Sequence, residues 1–260
     1  LRDHAGSLGL AADFSVIDRS DTEELLAITR TRLDLHDSDR RFPLARTCMA
    51  LLSRTLNSQR PLAEVLTTHY PWCAEWQADL QRLFAAYTDA KQAQRVLDYD
   101  DLLLYWHLAV QEPAIAQAMG ARFDHVLVDE FQDTNRLQAG ILHALKPEGR
   151  GVTAVGDDAQ AIYGFRAAEV DNMLAFPAAF TPVAQVLTLQ RNYRSTQPLL
   201  QAANAVIAQA SRRFAKTLWS DKISSQRPQL VNVLDEAEQA RWVADEVLRQ
   251  REEGTPLTQQ

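Results

Sequence analysis

The sequence predicts a helical block followed by an α/β segment built on parallel sheet. Three observations carry this expectation. Through the first hundred residues apolar side chains recur every three or four positions, the period of an amphipathic helix. After Phe123 short aliphatic runs alternate with helical stretches, the pattern of β-α units. Those runs are apolar throughout rather than alternating, as parallel strands covered on both faces are.

Taken in order, Ser20 and Asp21 precede Glu23 and Glu24 at capping-box spacing, ahead of Leu25, Leu26, Ile28 and Leu33, and open a first helix. A second helix falls at 44–56. Trp72, Trp76, Leu80, Leu83 and Tyr87 form one apolar ridge of a third, with the tryptophans in the core. A fourth covers 100–111 and is closed by Pro113. The runs HVLVDE, GVTAVGDD, AQVLTLQ and QLVNVL are the four expected strands. RLQAGILHAL, 196–210 and 236–253 are the helices between and after them, the last stopped by Gly254.

At 260 residues, with 46% apolar and 23% charged side chains, the chain has room for two modest soluble domains. No apolar run approaches the roughly 18 to 20 residues of a membrane span, so no membrane partner is expected. The N-terminus lacks the basic start and apolar stretch of a signal peptide. Cys48 and Cys73 make neither a metal spacing nor a disulfide framework, and a reduced, cytoplasmic setting is the expectation. A net charge of −7 argues against a protein that coats nucleic acid by bulk electrostatics. Between Arg191 and Arg227, however, seven basic residues face one acid, Asp221; a local basic face and a solvated helix surface both fit.

The chemistry lies at the expected strand ends. In parallel sheets ligands bind at the carboxyl ends of strands, where Asp129 and Glu130 terminate VLV. A carboxylate left in a dry site without a cation costs several kcal/mol. Such a pair suits nucleotide hydrolysis: Asp129 to hold Mg²⁺, Glu130 to orient and deprotonate the attacking water. Strand-terminal acids also occur merely for solubility. In VGDDAQAIYGFRAA (155–168), Gln160 suits a γ-phosphate contact, since an amide can bond both a phosphate oxygen and a water. Tyr163 and Phe165 beside Arg166 suit either a stacking platform for single-stranded bases or packing in a core. In LQRNYRSTQPL (189–199), Tyr193 offers a flat ring and Ser195 or Thr196 a helix cap. Arg194 there is either a finger for transition-state charge or a surface ion-pair partner.

Together, DEFQDTN, VGDDAQAIYGFRAA and LQRNYRST resemble motifs II, III and IV of the UvrD/Rep/PcrA group of superfamily 1 DNA helicases. VLDYDDLL (96–103) and TLWSDK (217–222) are similar to further segments of that group. The resemblance is weak before Asp98 and strong from there to about Asp221. It implies a helical insertion domain over 1–122, the second part of a first RecA-like motor domain over 123–188, and the start of a second over 189–260. It implies Mg²⁺ on Asp129, a catalytic base in Glu130, and γ-phosphate contacts from Gln160 and Arg194. It further implies adenine stacking on Tyr193, and DNA contacts from Tyr163, Phe165 and Arg166. The substrates implied are ATP and single-stranded or duplex-junction DNA, with 3′ to 5′ movement; protein partners are left open. The chain departs from the commoner DQSIYGWRGA string: Ala159 and Ala161 stand where polar residues do, Phe165 where Trp does, and RAA replaces RGA. A phenyl ring still stacks, whereas the alanines remove any polar contact at 159 and 161.

No G-x-x-x-x-G-K-[ST] string, the loop that cradles phosphates, occurs in the 260 residues. The expectation is therefore an internal fragment of a longer helicase that does not turn over ATP as an isolated chain. A noncatalytic binding module and a helicase subunit of a RecBCD- or AddAB-like recombination nuclease are the competing readings.

Overall fold

The computed structural model describes residues 1–35 and 42–260; the stretch of the expected helical block at 36–41 lies outside them. The chain divides into two units, residues 1–187 with 212–214, and residues 188–211 with 215–260.

The first unit opens with α1 (Arg19–Arg32), α2 (Ala45–Ser58), α3 (Leu62–His69) and α4 (Gln77–Gln94). Asp18 caps α1: its Oδ1 accepts the Ser20 and Asp21 amides at 2.8 and 2.9 Å. The helix thus starts ahead of the Ser20–Asp21 pair, because the acid two residues earlier already satisfies its first free amides. The four helices share a core in which Leu26, Cys48, Leu51, Leu66, Leu80, Leu83 and Tyr87 are fully buried. The expected tryptophan ridge holds only in part. Pro71–Trp76 is a 3-10 turn, whose three-residue period does not continue the face of α4. Trp72 is consequently 67% exposed, while Trp76 packs edge-on to Phe42 with ring centres 5.3 Å apart. Burial pushes the Cys48 thiol up to about 12, and both cysteines are free.

Next come α5 (Tyr99–Ala109) and α6 (Pro113–Gly120). Pro113 begins a helix as well as closing the previous one, since a first-turn position needs no amide hydrogen. Asp98 and Asp101 form a reciprocal capping box at the start of α5. Both carboxylates also reach the buried Lys91 ammonium, at 2.8 and 2.5 Å, and the Tyr87 hydroxyl donates to Asp98 at 2.9 Å. Burial raises both carboxyls; for Asp98 the ammonium and its donors outweigh it and hold the group low. Asp101, facing the charge of Asp98, is raised. Short strands β1 (Ser15–Val16) and β2 (Val96–Leu97) pair in parallel.

Beyond them β3 (Val126–Val128) and β4 (Val152–Ala154) pair in parallel, Val126 opposite Val152 and Val128 opposite Ala154, with α7 (Arg136–Leu145) connecting them. Asn135 caps α7 in a box with Gln138. The last helix of the unit is α8 (Val170–Ala175). Two corrections follow. Leu127, expected under cover on both faces, is 76% exposed. The runs at 184–190 and 229–234 are not strands, and Leu189 and Leu234 lie 86% and 95% exposed. An aliphatic run becomes a strand only when a neighbour accepts its ladder. Among the described residues the pairing near these runs is an isolated parallel bridge between Arg191 and Trp219.

The second unit contains α9 (Gln197–Ile207) and α10 (Glu236–Glu252). Asn204 on α9 clasps the backbone of Leu218 through both its amide oxygen and its amide nitrogen. Gly254 follows α10 at φ 103°, a value open to glycine. No helix among the described residues is long and apolar enough to cross a membrane.

Candidate functional site

Asp129, Glu130, Asp133 and Asp157 lie beyond the carboxyl ends of β3 and β4. β3 ends at Val128, and the Val155 amide donates to its carbonyl at 2.8 Å. The chain then turns sharply at Glu130, whose φ of 50° and ψ of 42° are left-handed. A non-glycine residue there costs on the order of 1–3 kcal/mol and persists only when its surroundings over-determine it. They do so here: Asp129 Oδ1 accepts the Glu130 amide at 2.9 Å, and the Phe131 amide donates to the Val155 carbonyl at 2.9 Å. The backbone of Phe131–Asp133 closes as a 3-10 turn.

Gln132, 1% exposed, lies at the centre of this turn. Its Nε2 donates to Glu130 Oε2 at 2.7 Å and to Asp133 Oδ2 at 3.3 Å. Its Oε1 accepts the Asp157 amide at 3.0 Å, which ties the end of β3 to the end of β4. Asp157 in turn accepts from Gln160 Nε2 at 2.8 Å and from the Ala159 amide at 3.0 Å. Gly156 makes the approach possible, since a Cβ there would sit 2.6 Å from Gln132 Oε1. Asp129, Glu130 and Gln160 are therefore neighbours through hydrogen bonds, and all three are exposed.

No group of three His, Cys, Asp or Glu residues able to hold a metal occurs among the described residues. Magnesium keeps several waters and binds through one or two carboxylates plus substrate phosphates. A single exposed Asp129 carboxylate at a strand end fits an ion that arrives with a nucleotide, and does not fit a resident metal.

Phe165 is 67% exposed and Tyr163 37% exposed, so neither ring is fully buried in a core. Their rings lie 5.6 Å apart, inclined by 38°. Arg54 of α2 fastens this loop: Nη1 donates to the Phe165 carbonyl and Nη2 to the Gly164 carbonyl, both at 3.1 Å. Arg166 ends the same short turn, Gly164–Arg166. The same α2 reaches α7, where Asn135 Nδ2 donates to Asn57 Oδ1 at 2.8 Å and Asn57 Nδ2 donates to Asp100 at 2.7 Å.

In the second unit Tyr193 is exposed, with the Arg191 guanidinium 5.0 Å from its ring centre and 5.3 Å from that of Trp219. Asp221 pairs with that guanidinium. Neither Ser195 nor Thr196 caps the following helix by its side chain. Thr196 occupies the N-cap position without a side-chain hydrogen bond, and Asn192 instead turns the preceding loop, accepting the Arg194 and Ser195 amides at 2.9 and 2.7 Å. The Arg194 guanidinium is exposed and has no ion-pair partner among the described residues, so the surface ion pair weighed from sequence is not formed.

Sequence reasoning passed over Gln132, Asp157, Arg54 and Arg191. An amide set between acids in DEFQD was a signal for the first. For Arg54, more than a hundred positions from the loop it holds, there was none.

Residues 1–181 match the model of the UvrD/REP helicase N-terminal domain, and residues 187–260 that of the UvrD-like helicase C-terminal domain. The chain belongs to the UvrD/Rep helicase family. It is 33% identical over 260 residues to DNA helicase II of Salmonella typhimurium and 32% identical over 260 residues to that of Escherichia coli. In both cases the match covers 100% of this chain and 35% of the relative. It is 28% identical over 255 residues to the ATP-dependent DNA helicase PcrA of Staphylococcus aureus, covering 98% of this chain and 34% of that protein. This UvrD/Rep family member thus spans about a third of the length of the relatives it matches.

Proposed function

We propose that the chain is a segment of an ATP-dependent DNA helicase that moves 3′ to 5′ on single-stranded DNA. In this reading residues 1–122 are the helical insertion, 123–188 the second part of a first RecA-like motor domain, and 189–260 the start of a second. The observation that carries it is the junction of Asp129–Glu130 with Asp157–Gln160 at adjacent carboxyl ends of parallel strands.

Asp129 is the residue to hold Mg²⁺, which neutralises charge on the β- and γ-phosphates when bound. Glu130, held in its strained turn, aims its carboxylate at the attacking water and accepts its proton. Gln160, on the neighbouring strand end, bonds the γ-phosphate and passes its presence to the loop that carries Tyr163 and Phe165. Those rings stack on bases, a sequence-tolerant contact suited to a translocase, and Arg166 is a further DNA-contact candidate. Tyr193 stacks on the adenine, and Arg194, exposed and without an ion-pair partner among the described residues, meets charge that grows on the transferred phosphoryl group. The implied setting is the cytoplasm.

The experiment is Glu130→Gln in the full-length protein that contains this chain. Loss of a general base lowers turnover about a hundredfold or more, with nucleotide binding retained. Full turnover in that variant, with ATP and single-stranded DNA present, sinks the assignment of Glu130 as the base.

A further inference from the structure

The polar side chain most deeply buried at the strand ends is not one of the acids but the amide between them. We infer that Gln132 is a positioning residue for Glu130 and the mechanical link between Glu130 and Gln160. This rests on the reading of Glu130 as the base.

Three requirements meet at the Gln132 side chain, and only an amide satisfies them together. The Glu130 carboxylate needs a donor, the Asp133 carboxylate needs a donor, and the Asp157 amide needs an acceptor. A primary amide carries two N–H donors and one carbonyl acceptor, so it serves all three at once and in one orientation. A carboxylate there would face two others, and an apolar side chain would strand a backbone amide. Because Gln132 is almost completely buried, water cannot replace it.

The consequence is a continuous path, Glu130 to Gln132 to Asp157 to Gln160, with donor–acceptor distances of 2.7, 3.0 and 2.8 Å. A displacement of Gln160 pulls on Asp157. It shifts the amide that Gln132 accepts, and so reorients the hydrogen bond that aims Glu130. Glu130 itself sits in a left-handed conformation that its neighbours must hold, so loosening this bond frees the carboxylate to swing from its working direction. Gly156 leaves the room that this link occupies: any Cβ there enters the space of Gln132 Oε1.

The test uses the full-length protein and two readouts, the kinetics of DNA-stimulated ATP hydrolysis and hydrogen–deuterium exchange of the Asp157 amide. Gln132→Glu is nearly isosteric; it keeps the acceptor for Asp157 and removes the donor to Glu130. It is expected to lower kcat about tenfold or more, because a misaimed group loses reactivity without losing substrate. KM for ATP is expected to stay within about twofold, and Asp157 exchange to stay slow. Gln132→Leu and Gly156→Ala are expected to lower kcat similarly and to speed Asp157 exchange, with α1–α4 protection unchanged. Full kcat in Gln132→Glu and Gln132→Leu, alongside an inactive Glu130→Gln, overturns the positioning role. So does a loss of kcat matched by a general rise in exchange, which is a folding defect only. An active Glu130→Gln overturns the base reading instead, and the exchange of Asp157 still decides whether Gln132 joins the two strand ends.

Discussion

The strand-end region of the first unit and the Tyr193 region of the second hold their side chains in opposite ways. At the strand ends a buried amide, a left-handed turn and reciprocal hydrogen bonds fix each acid against the next. Around Tyr193 the rings and guanidinium groups are exposed, and what is fixed is the backbone, through Asn192 and Asn204. The difference follows from the work proposed for each. A base must be aimed, so it is over-constrained; a stacking ring need only be presented, so its loop is anchored and its face left open.

This contrast can be broken by substitution, and the largest effect is expected where the first unit is most constrained. Lys91→Met removes the ammonium shared by Asp98 and Asp101 and strands two buried carboxylates. Urea unfolding should show a loss of about 3–5 kcal/mol, the range for breaking a buried pair from one side. A loss no greater than that of a surface pair would mean that the network is solvated. Asn57→Leu deprives Asn135 and Asp100 of their partner and should cost about 1–3 kcal/mol by the same measurement. Tyr193→Ala should leave stability within about 0.5 kcal/mol, as an exposed site does, while weakening nucleotide binding in the full-length protein. Destabilisation on the scale of Asn57→Leu would erase the contrast.

The smallest expected effect is a pH dependence. Burial holds the His107 imidazole below its ordinary value of 6.5, so the folded chain binds fewer protons there than the unfolded chain. Stability from this group is therefore complete above 6.5 and declines as pH falls below it. His107→Phe should flatten that decline in thermal melts taken across the interval; an unchanged slope would assign it to other groups.

Parts of this were legible before any coordinates. Val126–Val128 and Val152–Ala154 were readable as parallel strands because each is a short aliphatic run followed by acids, with an amphipathic helix between. The runs at 184–190 and 229–234 have the same texture and form no ladder, since texture specifies a preference and pairing needs a neighbour. Trp72 misled because the heptad-like spacing ran through a proline-initiated 3-10 turn that changes the period. The cap of α1 was placed late, on Ser20 rather than Asp18, and at α9 Thr196 holds the cap position without the expected side-chain bond, because several Ser, Thr, Asp and Asn residues compete and only backbone geometry chooses among them.

Sequence alone determined the chemistry available: which carboxylates follow which aliphatic runs, which rings lie beside which arginines, and the family that those strings mark. It could do so because motif residues are neighbours along the chain, where spacing is direct information. Tertiary structure alone decided that Gln132 spans two strand ends and that Arg54 fastens a loop over a hundred residues away. Those contacts join segments brought together only by packing, and a buried hydrogen bond forms only where the fold puts donor against acceptor and excludes water.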